Sequence, residues 1–255
     1  MFYLDAACRC DIGRVRTKNE DNFYFDGSIL PPKNNGTEGV LTICRSFSVP
    51  ACFAVFDGMG GEKHGEQAAY LAAQALKEHP SKSSPAPGAM LLNVCLEANK
   101  RICDSASRNG GVRMGSTAAM LYFTESFVWL CNIGDSKIFR MRQGALSQLS
   151  IDHTDRALLE RQVNKIRKPL LTQHLGIWPE EMVIEPYVVQ SALEVGDQYL
   201  ICSDGLTDMV ALDEIALNLN KEKNAGDCID GLVEQALSRG GRDNITVILC
   251  RITGC

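Results

Sequence analysis

No apolar run in this sequence approaches the roughly 18 residues needed to cross a bilayer; pieces such as AAYLAAQAL fall within a helical pattern. Long basic runs are missing too. The 26 basic and 31 acidic residues are spread along the chain and leave a net charge of -5, so nothing could track a nucleic-acid backbone or an anionic membrane. The N-terminus MFYLDAACRCDIGR lacks a basic segment followed by an uninterrupted apolar stretch, because Asp5 breaks the short one present; no signal peptide is expected. There is no paired C-x-x-C of a zinc site, no G-x-x-x-x-G-K-[ST] and no G-x-G-x-x-G, which leaves a nucleotide site weakly supported. Together these absences predict a soluble, cytoplasmic protein with no membrane and no nucleic-acid partner.

What is present describes an ordinary globular chain. Its 255 residues are 45% hydrophobic and 22% charged, enough to bury a sizeable core, and one domain spanning 1–255 is expected over two. Eleven cysteines are many, but the closest pair, Cys8 and Cys10, has C-x-C spacing. Cys44, Cys52, Cys131, Cys202 and Cys250 sit within apolar runs and are expected as buried free thiols in a reducing compartment.

Along the chain, residues 22–30 and 39–57 read as strands joined in a hairpin by the turn-rich PPKNNGTEG. An Ala-rich helix is predicted from Glu62 to His79, with Ala69, Ala72, Ala73 and Leu76 on one face and Pro80 ending it. After the linker SKSSPAPG a second helix is predicted from Ala89 to Arg108, closed by Gly110 and Gly111. Many strands rich in β-branched and aromatic residues follow, then two amphipathic segments, TDMVALDEIALNLNKE and NAGDCIDGLVEQALSRGG, before the last strand NITVILCRI. There is no internal repeat. Because helices and strands cluster instead of alternating, antiparallel sheets covered by helices fit better than a parallel doubly wound sheet; the fold class is α+β.

Two of these strands stop on a carboxylate and a glycine: CFAVFDGMGG at Asp57-Gly58 and LICSDG at Asp204-Gly205. Asp243 in GRDN stands before the final strand, and Glu20 and Asp21 in NEDN stand before the first. Asp-Gly and Gly-Asp pairs also make plain turns, and Asp26-Gly27, Gly134-Asp135 and Gly196-Asp197 are read as corners. Strand ends, however, hold side chains rigidly at the rim of a sheet sandwich, where carboxylates from several strands can converge. Converging carboxylates repel unless a cation sits among them. Oxygen-only ligands suit Mg²⁺ or Mn²⁺, and two such ions sharing a carboxylate would acidify a water for in-line attack on phosphorus. Gly58, without a side chain, would let its carbonyl approach an ion. Arg16, just before Glu20 and Asp21, is the candidate to bind two phosphate oxygens through its planar fork.

At these residues the sequence resembles the metal-dependent Ser/Thr protein phosphatase family, type 2C, in its compact bacterial form. Five motifs carry the resemblance in the family's order, from Asp11 to Ile252: GRVRTKNEDN, FAVFDGMGG, GSTAAMLYF with VWLCNIGDSKIFRMRQGALSQLSIDHT, LICSDGLTD, and GRDNITVILCRI. The resemblance implies a four-layer αββα sandwich with a dinuclear Mn²⁺ or Mg²⁺ centre at one end of two antiparallel sheets. It makes Asp57 the bridging carboxylate, Gly58 a carbonyl ligand, Asp204 and Asp243 ligands of the other ion, and Glu20 and Asp21 an acidic pair acting directly or through water. Arg16 would hold the substrate phosphate. The implied reaction is hydrolysis of phosphoserine or phosphothreonine by direct water attack, with phosphoproteins of a bacterial Ser/Thr kinase as partners and a monomer as the expected state.

Three departures from the family pattern bear on the site. Val112 occupies the place of an Asp that contributes to a third, weaker metal site in many relatives, so a third ion is not expected. Met59 stands where some members carry a His that acts as general acid; water at the metal centre would then protonate the leaving alkoxide. His64 is expected as a surface or capping residue and His153 as one that orders a loop. The flap between DHT and LTQHLG is shorter than usual, and its Lys165, Arg167 and Lys168 could attract acidic phosphopeptides, a solvated basic face being the default. Two alternatives follow: a catalytically silent fold used as a binding or signalling module, and a hydrolase of small phosphoesters.

Overall fold

The computed structural model describes residues 2–46, 50–59, 64–79, 86–160, 167–221 and 224–254. In chain order the elements are β1 (Phe2–Asp11), β2 (Asp21–Phe25), β3 (Leu41–Ser46), β4 (Ala51–Met59), α1 (Gly65–Glu78), α2 (Pro87–Arg108), β5 (Gly115–Ser116), β6 (Ala118–Phe123), β7 (Phe127–Ile133), β8 (Lys137–Arg142), β9 (Ala145–Gln148), α3 (Arg156–Leu159), β10 (Tyr187–Ala192), β11 (Gln198–Cys202), α4 (Asp204–Thr207), α5 (Leu212–Leu219), α6 (Ala225–Ser238) and β12 (Ile245–Gly254).

The central strands read as unbroken apolar runs because both of their faces are buried, and alternate residues serve different cores. Along β4, Phe53 and Val55 face the space between the sheets, while Ala54 and Phe56 face helices. Along β12, Ile248 and Cys250 join the same inter-sheet core, while Val247 and Leu249 face α6. One sheet has the order β3-β1-β12-β11-β8-β9; the other runs β10-β7-β6-β4-β2, with β5 paired to β4. Every pairing is antiparallel.

Between the sheets Phe123 meets Phe53 and Tyr199 edge to face, with ring centroids 6.0 and 5.5 Å apart. All three are fully buried, and each such ring stabilises the fold by about 2–3 kcal/mol through burial alone. The small face of α1, Ala68, Ala69, Ala72 and Ala73, lets that helix lie close on Phe56 beside α2. On the opposite side Ile229, Leu232, Val233 and Ala236 of α6 cover Leu200, Val247 and Leu249. The layers are therefore helix, sheet, sheet, helix, as the αββα expectation has it.

Some local expectations need correction. Residues 39–57 are not one strand paired in a hairpin with 22–30: β3 joins β1 in one sheet and β4 joins β2 in the other. The long β1, absent from the predicted elements, pairs with β12 over its whole length. Cys44 is exposed, because it lies on an edge strand and points away from the side on which Ile43 packs into the core. The ten described cysteines are all free thiols, eight of them buried. α1 begins at Gly65 and α2 at Pro87, each extending to the predicted end within a residue; Glu62, Pro80 and most of the SKSSPAPG linker lie outside the described residues.

Candidate active site

The ends of β2, β4, β11 and β12 meet at one end of the two sheets. Antiparallel pairing sets Asp21, the first residue of β2, directly opposite Asp57 near the end of β4. Asp204 follows β11 after Ser203, and Asp243 and Asn244 lead into β12. The resulting cleft, ≈ 540 Å³, is lined by Arg16, Glu20, Asp57, Gly58, Asp204 and Asp243, together with Met59, Thr117, Asp135, His174 and the segment Lys168 to Leu171. Thus six of the seven predicted site residues share one cavity. The seventh, Asp21, is 2% exposed and lies behind it.

Local chemistry explains each placement. Gly58 is required by space: a Cβ there would stand 2.2 Å from the Gly65 carbonyl oxygen and 2.4 Å from that of Glu20. Its N–H donates to the Glu20 carbonyl at 3.1 Å, tying β4 to the loop that carries Glu20. The Asp57 N–H donates to Thr117 Oγ1 at 3.0 Å, and the Thr117 N–H returns a bond to the Asp57 carbonyl at 2.8 Å. Asn244, quoted in GRDN but assigned no task, is the clamp of the loop: its Nδ2 donates to the carbonyls of Ile12 and Lys18 at 2.8 and 2.9 Å, and its Oδ1 accepts from the Glu20 N–H at 2.8 Å. Behind the cleft, Ser203 Oγ and Thr246 Oγ1 donate to Asp21 Oδ2 at 2.8 and 2.7 Å.

The electrostatics are those of crowded negative charge. Burial pushes the Asp57 carboxyl well above the usual carboxylate range, and Asp21, Asp204, Asp135 and Asp243 push it further. Burial lifts Asp21 to about 7 even though Thr246 and Ser203 stabilise its anion, and lifts Asp135 to about 6, with Asp204 adding to it. Glu20 is raised by burial and by Glu66, whose Oε2 is buried without a hydrogen-bond partner. Two cations offset part of this charge: Arg16 Nη2 donates to Asp243 Oδ2 at 2.7 Å, and Lys168 Nζ donates to Asp204 Oδ2 at 2.5 Å and to Asp208 Oδ2 at 3.0 Å. Among the described residues no three acidic, histidine or cysteine side chains are closed up into a finished metal shell; the carboxylates surround the cleft instead. Crowded carboxylate oxygens, with no thiolate and a single histidine in the lining, raised by burial and by one another, fit hard divalent cations.

Asp135, like Asn244, carries more than its sequence context suggests. Read as a corner, it lines the cleft beside Asp57 and Asp204 and also borders a neighbouring cavity of ≈ 340 Å³ with Lys137, Asp152 and Asp208. Gly-Asp is indistinguishable from a turn until the register of β8 against β11 brings it next to Asp204. Asp197 is likewise more than a corner, being buried against Arg142. His153 does order a loop, its Nδ1 accepting from the Gly134 N–H at 3.2 Å. His64 stands at the N-cap of α1 without a side-chain cap. Of the basic flap residues, Arg167 and Lys168 are exposed to solvent and also paired, Arg167 with Asp155 and Lys168 with Asp204, while Lys165 lies outside the described residues. Val112 is not among the residues lining the cleft.

The protein phosphatase 2C family model matches residues 41–223. This chain belongs to that family. It is 30% identical over 260 residues to the serine/threonine phosphatase stp of Listeria welshimeri, covering 96% of this chain and 95% of that one. Against the serine/threonine phosphatase PstP/Ppp of Mycobacterium tuberculosis it superposes with a TM-score of 0.80 at 27% identity, covering 99% of this chain and 100% of the other. A second structure, the catalytic domain of PstP in complex with two manganese ions, gives a TM-score of 0.79 at 27% identity over all of both chains. The family, the layered fold and the enzyme class expected from the five motifs are all borne out.

Proposed function

We propose that this 2C-family enzyme releases phosphate from phosphoserine and phosphothreonine side chains of proteins, with Asp57, Gly58, Asp204 and Asp243 holding two Mn²⁺ or Mg²⁺ ions. Glu20 and Asp21 assist directly or through water, and Arg16 receives the phosphate. The observation that carries this reading is the meeting of Arg16, Glu20, Asp57, Gly58, Asp204 and Asp243 around one cleft. When bound, such ions neutralise the carboxylates, polarise the phosphate and acidify a water.

The chain's own groups do the rest. Arg16 spends only Nη2 on Asp243 and is 48% exposed on its side chain, so the remainder of its fork is available for phosphate oxygens. Asp21, at the strand position opposite Asp57, is held on one oxygen, Oδ2, by Ser203 and Thr246. Asn244 fixes the loop from which Arg16 and Glu20 project. Val112 supports a two-ion centre over a three-ion one, although Asp135 beside Asp204 offers a carboxylate from a different motif.

The likeness to whole bacterial phosphatases over nearly their full length supports a single catalytic domain; that it acts in the cytoplasm, as a monomer and opposite a Ser/Thr kinase is part of the proposal. No described helix is long and apolar enough to cross a membrane. Phosphate release from a phosphothreonine peptide with Mn²⁺ tests the activity: the wild type should turn it over and Asp57→Ala and Asp204→Ala should not. No release by the wild type, or undiminished release by both variants, refutes it.

A further inference from the structure

We propose that His174 is a catalytic residue of this enzyme, the proton donor to the seryl or threonyl oxygen that leaves phosphorus. The inference rests on the phosphatase reading and adds a residue that no motif pointed to. His174 lines the main cleft together with Asp57, Gly58 and Met59, and it also lines a second cavity of ≈ 320 Å³ that it shares with Met59 and Gly115.

The ring is placed through three successive backbones. Met59 at the end of β4 pairs with Gly115 of β5. Ser116 then bridges Leu175, its N–H donating to the Leu175 carbonyl at 3.0 Å and its carbonyl accepting from the Leu175 N–H at 2.8 Å. Asn99 Oδ1 anchors the same segment to α2 by accepting from the N–H groups of Gly176 and Ile177 at 2.7 and 3.1 Å. Imidazole fits against β5 only because residue 115 is glycine: a Cβ there would stand 2.7 Å from His174 Nδ1. A histidine from the segment after the flap thus stands with Met59 in the lining of both cavities.

Hydrogen bonding settles which nitrogen is available. The Leu175 carbonyl can only accept, so His174 Nδ1, 2.9 Å away, carries a proton and donates it. Nε2 makes no hydrogen bond among the described residues. It is therefore the nitrogen free to meet a substrate. An imidazolium so held gives up the Nε2 proton and stays bound through Nδ1–H as the neutral ring.

The step balances without another reagent. A water oxygen forms a bond to phosphorus as the bond from phosphorus to the seryl or threonyl oxygen breaks. The electron pair of the broken bond goes to that oxygen, which takes the Nε2 proton. The attacking water loses its proton to solvent, and the imidazole regains one from solvent, so ester and water become alcohol and phosphate.

General acid help matters in proportion to the basicity of the leaving group, and it contributes roughly 10²–10⁴-fold for an alkoxide. The test compares the Mn²⁺-loaded wild type with His174→Asn and His174→Gln on a phosphothreonine peptide and on 4-nitrophenyl phosphate, whose leaving group needs little help. Asparagine can still donate to the Leu175 carbonyl; glutamine can offer an amide N–H near the Nε2 position but no transferable proton. We expect kcat on the peptide to fall about a hundredfold in both variants, and the fall on the aryl ester to be at least tenfold smaller. Unchanged peptide turnover in His174→Asn, equal loss on both substrates, or full rescue by glutamine would overturn the assignment, the last by showing a hydrogen bond to phosphate in place of proton transfer. A wild type inactive on both substrates would instead refute the phosphatase reading.

Discussion

Asp21 and Asp57 face each other as direct register partners on adjacent antiparallel strands. Like charges in that position destabilise a sheet by up to about 1 kcal/mol, and burial makes both carboxyls harder to ionise. The pair is therefore a local defect of the metal-free fold, one that a cation held as proposed would relieve. Asp57→Asn should raise the melting temperature of the chelator-treated protein by about 3 °C, roughly what 1 kcal/mol is worth at this size, while abolishing the further rise that Mn²⁺ gives the wild type. Calorimetric scans of both proteins with and without Mn²⁺ check this; a metal-free variant less stable than the wild type would count against the repulsion.

The hydroxyls behind Asp21 should matter without touching substrate. Thr246→Val keeps the shape but removes one of the two donors to Asp21 Oδ2. Outer-shell donors of this kind are worth about 10–100-fold in metal affinity or activity. The expected result is about tenfold weaker Mn²⁺ binding by calorimetry and a matching loss of turnover, restored by Thr246→Ser. Equal behaviour of the valine and serine variants would assign Thr246 to packing alone.

Gly58→Ala tests the close approach of β4 to its neighbours. The added methyl would overlap two backbone oxygens, those of Gly65 and Glu20, and neither can rotate away. Relief requires β4 to shift from α1 and from the Glu20 loop, at about 1–3 kcal/mol for an overpacked site. Denaturant unfolding should show that loss together with weakened Mn²⁺ binding; a variant of wild-type stability and affinity would show that the strand has slack.

At the far end of β11 the buried Asp197 is an independent structural element. Burial works against its ionisation, but Arg142, whose Nε and Nη2 donate at 2.7 and 2.6 Å, with the Glu194 N–H and Tyr199 OH, holds its carboxyl below the usual carboxylate range. A carboxyl lowered in the folded state stabilises the fold above its unfolded pKa of about 3.9, and the contribution disappears as pH falls through the folded value. Asp197→Ala removes the charged partner of Arg142 while Glu194 and the Ala192 carbonyl remain on it, and should cost about 1–3 kcal/mol at neutral pH, with the gap to wild type narrowing under strong acid. Urea titrations at pH 7 and pH 3 provide the check, and a gap that widens on acidification contradicts the sign.

The legible parts of this molecule were those in which a local pattern had one physical meaning. Asp57 and Asp204 stood out because an apolar strand ending on Asp-Gly is both a turn and a rigid mount, and two such ends in one chain invite convergence. The layered class followed from the clustering of helices and strands. Sheet membership did not follow, because the apolar residues of β3 and β4 look continuous in sequence and only pairing with β1 and β2 separates them. Asp135 hid inside an ordinary Gly-Asp turn, and Asn244 inside a motif whose carboxylate drew the attention. His174 is silent in sequence for the same reason: its meaning depends on Gly115, fifty-nine residues away, having no side chain.

The most direct test titrates Mn²⁺ into the wild type and into Asp204→Asn by calorimetry and follows phosphate release from a phosphothreonine peptide in the same samples. Two ions binding per chain with activity rising in step, and both lost in the variant, is the predicted result. Full Mn²⁺ binding and undiminished phosphate release by Asp204→Asn would contradict a carboxylate-held metal centre.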